Sequence, residues 1–238
     1  PVDILTAGFP CQSFSQAGGR KGFDDPRGQL FFDIVRLIKE FGAEKPAVLL
    51  FENVPNLLYG NEGEWIKTIK REINLCGYWF NNRSYKVINT KDLSSIPQNR
   101  KRLYMVAFSI QHFPKNYFEF PSGSESHQRL SEFVDKSKKG DRSDYLAKDN
   151  KHYYLINQSV QNGSTSSIYH LRKYLVREYK SICPTLTANM GLGGHNVPFV
   201  KDRWGIRRLS ITECLKLQGY PLDAFEFSDD VPKAKRYL

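Results

Sequence analysis

Two apolar runs, each followed at once by a polar segment, constrain the fold of this chain most strongly. The run at residues 2–6 leads into GFPCQ at 8–12, and the run at 47–51 leads into ENVP at 52–55. Between them, residues 30–41 carry apolar side chains at helical spacing, which predicts an amphipathic helix. A strand, a helix and a strand form a βαβ unit, so the two strands are predicted to be parallel. Ligands of such sheets bind at the carboxyl ends of the strands, where Cys11 and Glu52 are therefore predicted to meet.

The rest of the chain extends this pattern into an α/β protein. Residues 65–75 predict a second helix, and residues 78–89 and 102–109 predict two strands with no helix between them. Two such strands favour an antiparallel hairpin at the edge of a mostly parallel sheet. Residues 110–206 contain only short apolar pieces and predict a small irregular second domain. A helix is expected again from Ser210, with Glu213 completing a capping box.

Composition places the chain among cytoplasmic globular proteins. Its 238 residues, 40% of them hydrophobic, suffice for one large domain or for a domain with a smaller companion. The four cysteines are widely spaced and form no C-x-x-C pair, so neither a disulfide framework nor a zinc cluster is expected. A signal peptide pattern is missing, and no apolar run approaches the roughly 18 residues of a membrane span.

The charge distribution allows two interpretations. The chain has a net charge of +10, and residues 151–206 carry seven Lys or Arg against two Asp or Glu, together with five tyrosines. Basic residues interleaved with aromatic ones fit a surface that binds a polyanion. A solvated basic face would produce the same composition.

Cys11 is the first candidate catalytic residue. A lone cysteine is commonly a small core residue, but Cys11 follows a predicted strand end and precedes a polar, glycine-rich loop at residues 12–28. Such a loop can close over a ligand. An accessible thiol in that position can act as a nucleophile.

Glu52 and a basic segment are the other candidates. Glu52 follows five apolar residues, so it is expected to be buried, protonated and able to act as a general acid, although it could simply cap the next turn. Gln98, Arg100 and Arg102 alternate, and an extended chain would place them on one face. Two guanidinium groups there suit phosphate or carbonyl oxygens, whereas an exposed basic strand edge is the simpler alternative.

Taken in order, these segments resemble the sequence blocks of the DNA cytosine-5 methyltransferases. The matching blocks are GFPCQ at 8–12, RGQLFFD at 27–33, ENV at 52–54, QNRKR at 98–102, PTLTA at 184–188, RLSITE at 208–213 and QGYP at 218–221. The resemblance covers nearly the whole chain.

The resemblance implies a covalent mechanism on a cytosine flipped out of duplex DNA. The thiolate of Cys11 would attack carbon 6, and Glu52 would hydrogen-bond or protonate ring nitrogen 3. Arg102 is expected at the exocyclic O2, and Arg100 near the site or a phosphate. Carbon 5 would take the methyl group of S-adenosyl-L-methionine, after which loss of the carbon 5 proton and of Cys11 releases 5-methylcytosine.

The resemblance also implies an organisation and a biological setting. It implies a Rossmann-like, mostly parallel methyltransferase sheet formed by residues 1–109 and 207–238, and a target-recognition domain at 110–206. It further implies the modification enzyme of a restriction–modification system, with double-stranded DNA as its partner. Pro10 and Leu30 match positions that line the cofactor. The residues expected to contact DNA are Gln12, Ser15, Arg20, Gln98, Gln158, Gln161, Arg172, Thr185 and Leu186.

Two blocks of that family are not found in the chain. These are the glycine-rich cofactor loop before the first strand and the last block. We therefore expect the chain alone to bind S-adenosyl-L-methionine weakly and to be inactive, with a missing segment or a second subunit completing the cofactor site. The alternatives are a truncated, non-catalytic DNA-binding remnant and an RNA cytosine-5 methyltransferase.

Overall fold

The computed structural model describes residues 2–14, 21–115, 118–123, 128–164, 166–172, 174–187, 190 and 196–224. The chain divides into two compact units: a first unit of Pro1–Asn89 and Lys101–Ser122, and a second unit of Thr90–Arg100 and Gly123–Leu238.

Both units contain strands and helices. The strands are β1 (Ile4–Ala7), β2 (Val48–Asn53), β3 (Tyr78–Trp79), β4 (Tyr85–Asn89), β5 (Gln98–Asn99), β6 (Lys101–Ser109), β7 (Ile168–Arg172), β8 (Leu175–Tyr179), β9 (Cys183–Pro184), β10 (Val197–Lys201) and β11 (Ile206–Arg208). The α-helices are α1 (Pro26–Glu40), α2 (Asn56–Tyr59), α3 (Glu64–Leu75), α4 (Thr90–Leu93), α5 (Leu130–Phe133), α6 (Tyr153–Asn162) and α7 (Ile211–Gln218).

The predicted β1–α1–β2 unit is confirmed. β1 and β2 are parallel neighbours, with Ala7 opposite Phe51. Helix α1 begins a turn earlier than the apolar pattern indicates, because Asp25 caps it by accepting a hydrogen bond of 2.9 Å from the Arg27 amide. Pro26 occupies the first turn, where a missing N–H costs nothing.

The sheet of the first unit is mixed. Its order is β1-β2-β6-β3, with β4 also pairing with β6. In the described part of the chain only the β1–β2 pairing of this sheet is parallel, so the expected mostly parallel sheet is not found there. The predicted antiparallel pairing is confirmed as β4–β6. The strands do not form an edge hairpin, because α4 and β5 lie between them in the chain and β6 also pairs with β2 over the full length of β2.

The strand predicted at residues 78–89 is interrupted. Asn81 and Ser84 form a turn between β3 and β4, in which the Asn81 amide donates to Ser84 Oγ at 3.0 Å and Asn81 Oδ1 accepts from the Arg83 amide at 2.8 Å. Asparagine and serine side chains favour such turns because they hydrogen-bond to nearby backbone groups.

One face of this sheet carries the core of the first unit. Leu49, Phe51, Leu103 and Met105 are almost completely buried there against α1 and α3. Gly22 allows the loop before α1 to approach this core, since a Cβ at Gly22 would lie 2.1 Å from the indole nitrogen of Trp65. Its φ of 57° also lies in the region that glycine tolerates best.

The second unit contains a regular sheet where an irregular domain was expected. β11, β10, β7 and β8 pair in that order and are all antiparallel. Helix α6 packs on one face of this sheet, with Ile156 and Val160 against Tyr169 and Leu171. The strands have only three to five residues, and β10 is apolar on both faces, so the two-residue alternation that identifies a strand is weak in this sequence.

Helix α7 begins as predicted. Ser210 Oγ accepts from the Glu213 amide at 3.1 Å, and Glu213 Oε2 accepts from the Ser210 amide at 2.7 Å, so the capping box is confirmed. The same carboxylate also binds the guanidinium of Arg207, at 2.8 Å and 2.9 Å. Arg207 in turn donates from Nε to Asp202 at 3.0 Å, and its side chain is only 3% exposed. This buried cluster joins the β10–β11 hairpin to α7.

Candidate active site

The register of β1 and β2 places the two predicted catalytic segments at one edge of the sheet. Ala7 lies opposite Phe51, so the next residues, Gly8 and Glu52, are also neighbours. A Cβ built on Gly8 would lie 3.9 Å from Glu52 Oε2, which is ordinary van der Waals contact. The backbone that leads to Cys11 therefore passes directly beside the Glu52 carboxylate.

Cys11 begins a tight turn that is held at both ends. The Phe14 amide donates to the Cys11 carbonyl at 3.1 Å, which closes the turn. Asn53 Nδ2 donates to the Phe9 carbonyl at 3.1 Å, and the Asn56 side-chain amide donates to the Phe14 carbonyl. The core alternative for Cys11 is not found, because the residue is partly exposed.

The other thiols are less suited to nucleophilic attack. Burial raises the pKa of Cys76, and it raises the pKa of Cys183 and Cys214 further because both are almost fully enclosed. A thiolate is the reactive form, so a raised pKa leaves less of it at neutral pH. Among the four cysteines, Cys11 alone follows the carboxyl ends of the parallel strands β1 and β2.

Glu52 has an ion-pair partner that its position in the sequence does not reveal. Arg102 Nε lies 2.8 Å from Glu52 Oε1, and the side chains of Arg102 and Glu52 are 18% and 38% exposed respectively. The expectation that Glu52 is buried is therefore wrong. Glu52 is the penultimate residue of β2 and points to the sheet face opposite Phe51, where the apolar core does not cover it.

The basic segment 98–102 is not a single extended strand, contrary to expectation. β5 pairs with β9, whereas β6 pairs with β4, and the Arg100 amide donates back to the Gln98 carbonyl at 2.9 Å. The side chain of Gln98 is buried and donates to the Leu217 carbonyl at 2.7 Å. Arg100 belongs to the second unit, and its Nη1 lies 3.5 Å from the Leu186 carbonyl. The Gln98 side chain could contact DNA only if its hydrogen bond to the Leu217 carbonyl were broken.

Pro10 and Leu30 offer a limited surface for a cofactor. Pro10 is partly exposed, and Leu30 is 44% exposed in the second turn of α1. Their apolar side chains suit an adenine ring, but neither side chain supplies a hydrogen-bonding group for a ribose or a charge for a sulfonium. These two residues fit only the apolar part of S-adenosyl-L-methionine.

The predicted DNA-contacting residues are spread over both units. Gln12 is exposed beside Cys11, while Ser15 and Arg20 lie outside the described residues. Helix α6 carries Gln158 and Gln161, and both are exposed. Arg172 is exposed at the end of β7. Thr185 donates a hydrogen bond to the Asn99 carbonyl at 2.7 Å. Leu186 is only 4% exposed and packs in the core of the second unit, so its side chain cannot contact a base as placed.

Sequence reasoning misses the residues that hold the Cys11 turn. Asn53 belongs to a matching block without a role of its own, and Asn56 lies outside the blocks. The sequence does contain a signal for Asn53: an amide side chain at the end of an apolar strand is expected to be buried. A buried amide must find a hydrogen-bond partner. In the structure Asn53 is 1% exposed and finds that partner in Phe9.

Among the described residues, no helix combines the length and the apolar character that crossing a membrane requires.

Comparisons with known proteins agree with one another. The family model for C-5 cytosine-specific DNA methylase matches residues 1–237. The chain is 46% identical to the Type II methyltransferase M.Bsp6I of Bacillus sp. (strain RFL6) over 224 residues, which is 93% of this chain and 68% of that protein. It is 33% identical to M.SsoII of Shigella sonnei, covering 93% of this chain and 55% of that protein. For M.HhaI of Haemophilus parahaemolyticus the identity is 35%, covering 92% and 65%. The match thus spans between about half and two thirds of the length of these curated relatives.

Solved structures support the fold. EhMeth, an Entamoeba histolytica methyltransferase, superposes with a TM-score of 0.71 at 17% identity, over 99% of this chain and 70% of that one. The S. pombe Dnmt2 methyltransferase has a TM-score of 0.66 at 16% identity, over 99% and 71%. The α/β architecture with a mixed sheet is therefore that of known methyltransferases. Because the family model and the relatives span almost all of the sequence, the chain belongs to the C-5 cytosine-specific DNA methylase family.

Proposed function

We propose that this chain is the core of a DNA cytosine-5 methyltransferase that modifies a specific sequence in duplex DNA. The observation that carries the proposal is that the Glu52–Arg102 pair lies beside Gly8, at the strand end that leads into Cys11. The enzyme would act in the bacterial-type cytoplasm as the modification partner of a restriction–modification system.

Cys11 acts as the nucleophile. Its thiolate adds to carbon 6 of the cytosine ring, and the electron pair displaced from the 5,6 double bond makes carbon 5 nucleophilic. The tethers from Asn53 and Asn56 hold the turn that carries Cys11, which fixes the direction from which sulfur approaches the ring. Elimination of the thiolate, with loss of the carbon 5 proton, ends the cycle.

Glu52 and Arg102 recognise the neighbouring ring positions. Ring nitrogen 3 and the exocyclic O2 of cytosine are adjacent, and the carboxylate and guanidinium are adjacent in the structure at 2.8 Å. On entry of the base, Arg102 donates to O2 and Glu52 shares a proton with nitrogen 3. Both contacts stabilise the negative charge that develops when sulfur adds to carbon 6.

S-adenosyl-L-methionine, when bound, supplies an electrophilic methyl group for carbon 5. Pro10 and Leu30 would contact its apolar part. The side chains of Pro10 and Leu30 supply no polar contact. The 238-residue chain alone should therefore bind the cofactor far more weakly than a protein with the full length of its relatives. It should also fail to methylate DNA. Titration calorimetry on both proteins measures this. Micromolar binding by the chain alone, about −8 kcal/mol, would contradict the proposal of an incomplete cofactor site.

Catalysis is assigned to residues 1–109 and 207–238, and target recognition to residues 110–206, including Arg172 and Thr185. The basic composition of residues 151–206 supports this assignment, because neutralising DNA phosphates requires cations.

The covalent step can be tested directly. A full-length enzyme that contains this chain should form a complex with 5-fluorocytosine DNA that survives denaturing electrophoresis, because fluorine cannot leave as a cation. Cys11→Ser should abolish the complex, and Cys76→Ser should retain it as the matched control. Persistence of the complex in the Cys11→Ser enzyme would place the nucleophile elsewhere and end the proposal. Absence of any complex in the unaltered enzyme would favour a non-catalytic DNA-binding protein.

A further inference from the structure

A cavity of about 990 Å³ opens beside helix α5 in the second unit, and we call it the α5 cavity. Small-molecule sites commonly have volumes of about 300–1,000 Å³, so this cavity is large enough for an organic ligand. Its described lining residues all belong to the second unit, and none is among the residues proposed for catalysis, cofactor binding or DNA contact. The proposed function therefore gives the α5 cavity no role.

Part of the lining is apolar and is held in place by backbone hydrogen bonds. Four lining residues form this part, which we call the apolar wall: Pro97, Leu130, Val134 and Ile182. The Cys183 amide donates to the Pro97 carbonyl at 2.6 Å, which joins the segments that carry Pro97 and Ile182. The Val134 amide donates to the Leu130 carbonyl at 3.0 Å. The apolar wall is therefore preformed, as is usual at small-molecule sites.

Lys136 places a cation in the same lining. Its Nζ donates to the Ser167 carbonyl at 3.3 Å, next to Ser166, which also lines the cavity. The backbone that precedes Lys136 is fixed by the buried arginine of the second unit, because Arg207 Nη2 donates to the Asp135 carbonyl at 2.9 Å. These contacts hold the Lys136 ammonium at the cavity and near a second cation.

The position is unfavourable for the charged form of Lys136. Burial lowers the pKa of Lys136 to about 8, and repulsion from Arg207 adds to this effect, against attraction by Glu213 and Asp202. An anion in the cavity would offset both the burial and the repulsion, because a nearby opposite charge favours the charged form of an amine. Lys136 therefore gains more from an anionic ligand than a fully solvated lysine would.

The other charges of the lining also favour an anion. Among the described residues that line the cavity, the basic ones are Lys91, Arg129 and Lys136, and the lining also contains one acid, Asp135. Lys91 forms an ion pair with Asp92. Arg129 and Lys136 then stand against Asp135, an excess of one positive charge. A carboxylate matches that excess, whereas a phosphate monoester brings about two negative charges.

We propose that the α5 cavity binds a small carboxylate that has an apolar body. The carboxylate pairs with Lys136, and the body lies against the apolar wall. Contact with the wall removes apolar surface from water, which favours binding of any molecule of this shape. The charge-assisted hydrogen bond to Lys136 then selects the anion over a neutral molecule of the same shape.

Methyl NMR of the 238-residue chain tests the inference, with cinnamate as the probe. Cinnamate should shift the methyl signals of Leu130, Val134 and Ile182 in a saturable manner. Cinnamamide has the same shape without the charge. It should bind about 10-fold more weakly, because hydrogen bonds to charged groups contribute more than those between neutral groups. Inorganic phosphate, which lacks an apolar body, should leave these methyl signals unchanged.

Replacement of the lysine should remove the preference for the anion. Lys136→Met should bind cinnamate and cinnamamide about equally, because the apolar wall remains and the cation is lost. Lys138→Met is the matched control, since Lys138 is a nearby exposed lysine that is not among the described lining residues. The control should keep the preference. If Lys136→Met does not fold, Lys136→Gln keeps a polar side chain without the charge and should show the same loss.

A second measurement follows the amine itself. Acetic anhydride acylates the neutral form of an amine, and mass spectrometry locates the acetyl group. Cinnamate should slow acetylation at Lys136 about 10-fold and leave Lys138 unchanged, because the ion pair stabilises the protonated amine. Cinnamamide should give less protection, since it carries no charge.

Three results would overturn the inference. Equal binding of cinnamate and cinnamamide by the unaltered chain would mean that no cation meets the carboxylate. A preference that survives in Lys136→Met would place that cation elsewhere. The absence of a saturable shift of the three methyl signals at the solubility limit of cinnamate would mean that the α5 cavity does not take this class of ligand.

Discussion

The two units use charged residues in opposite ways. In the first unit, Glu52 and Arg102 form a partly exposed pair at the sheet edge. In the second unit, Arg207 is enclosed with Asp202 and Glu213, and it also donates to the backbone carbonyls of Asp135 and Arg208, both at 2.9 Å. The exposed pair can exchange partners when a base arrives, whereas the enclosed cluster can only hold α7 in place. The two groups contain the same types of residue, so burial and the number of hydrogen bonds are what distinguish the proposed catalytic pair from the enclosed cluster.

The thiols show the same contrast. Cys11 is partly exposed on a tethered turn of the first unit, while Cys183 and Cys214 are enclosed in the core of the second. The cysteine that we propose as the nucleophile and the cysteines that fill the core thus differ in their surroundings.

Breaking the enclosed cluster should produce the largest change in stability. Arg207→Met leaves Asp202 and Glu213 buried without their cation, so the free energy of unfolding should fall by about 3–5 kcal/mol. Arg102→Met, which breaks the partly exposed pair, should cost less, about 1 kcal/mol. Urea unfolding of both variants measures the difference. If Arg207→Met does not fold, Arg207→Lys keeps the charge and should still lose more stability than Arg102→Met. Equal losses would contradict the contrast between the units.

The exposed pair should matter more for activity. In a full-length enzyme, Arg102→Met should lower kcat for methylation by about 10²- to 10³-fold, the usual cost of removing one group that stabilises developing charge. Arg36→Met is the matched control, since Arg36 also forms an exposed ion pair in the first unit, at 2.6 Å from Glu40. Steady-state methylation of duplex DNA by both variants provides the test. A similar kcat for the two would show that Arg102 does not contact the base.

The smallest expected effect concerns alkaline pH, where one buried side chain in each unit should change the free energy of unfolding in opposite directions. Burial, with a smaller contribution from Cys76, raises the pKa of Tyr78 in the first unit to about 12. Between pH 10 and 12 the folded state keeps a proton that the unfolded state releases, so this residue lowers stability as the pH rises. Burial, with repulsion from Arg207, lowers the pKa of Lys136 in the second unit to about 8. Between pH 8 and 10.5 the unfolded state holds the extra proton, so this residue raises stability as the pH rises.

Two substitutions separate these contributions. Tyr78→Phe should remove part of the loss of stability above about pH 10, and Lys136→Met should remove part of the gain between about pH 8 and 10.5. Urea unfolding at a series of pH values, with the unaltered chain as the reference, measures both. The two variants should change the slope of stability against pH in opposite directions. A change in the same direction would mean that one of these side chains is not buried as the structure has it.

The sequence by itself determined the elements that depend on local patterns. The β1–α1–β2 unit followed from an apolar periodicity bounded by polar strand ends, and α7 followed from the Ser210–Glu213 capping box. These signals span a few residues and need no distant partner. The order of the short family blocks was likewise visible in the chain alone, and it led to the family that the comparisons show.

Only the tertiary structure decided which residues meet across long separations. Glu52 was expected to be buried because an apolar run precedes it. Instead it lies on the uncovered face of the sheet and forms a partly exposed ion pair with Arg102 on the neighbouring strand. Gln98 was expected to share a face with Arg102, but pairing of β5 with β9 buries it. The antiparallel sheet of the second unit was missed for the same reason. Strand pairing and burial depend on which distant segment supplies the neighbour, and the periodicity of one segment does not contain that information.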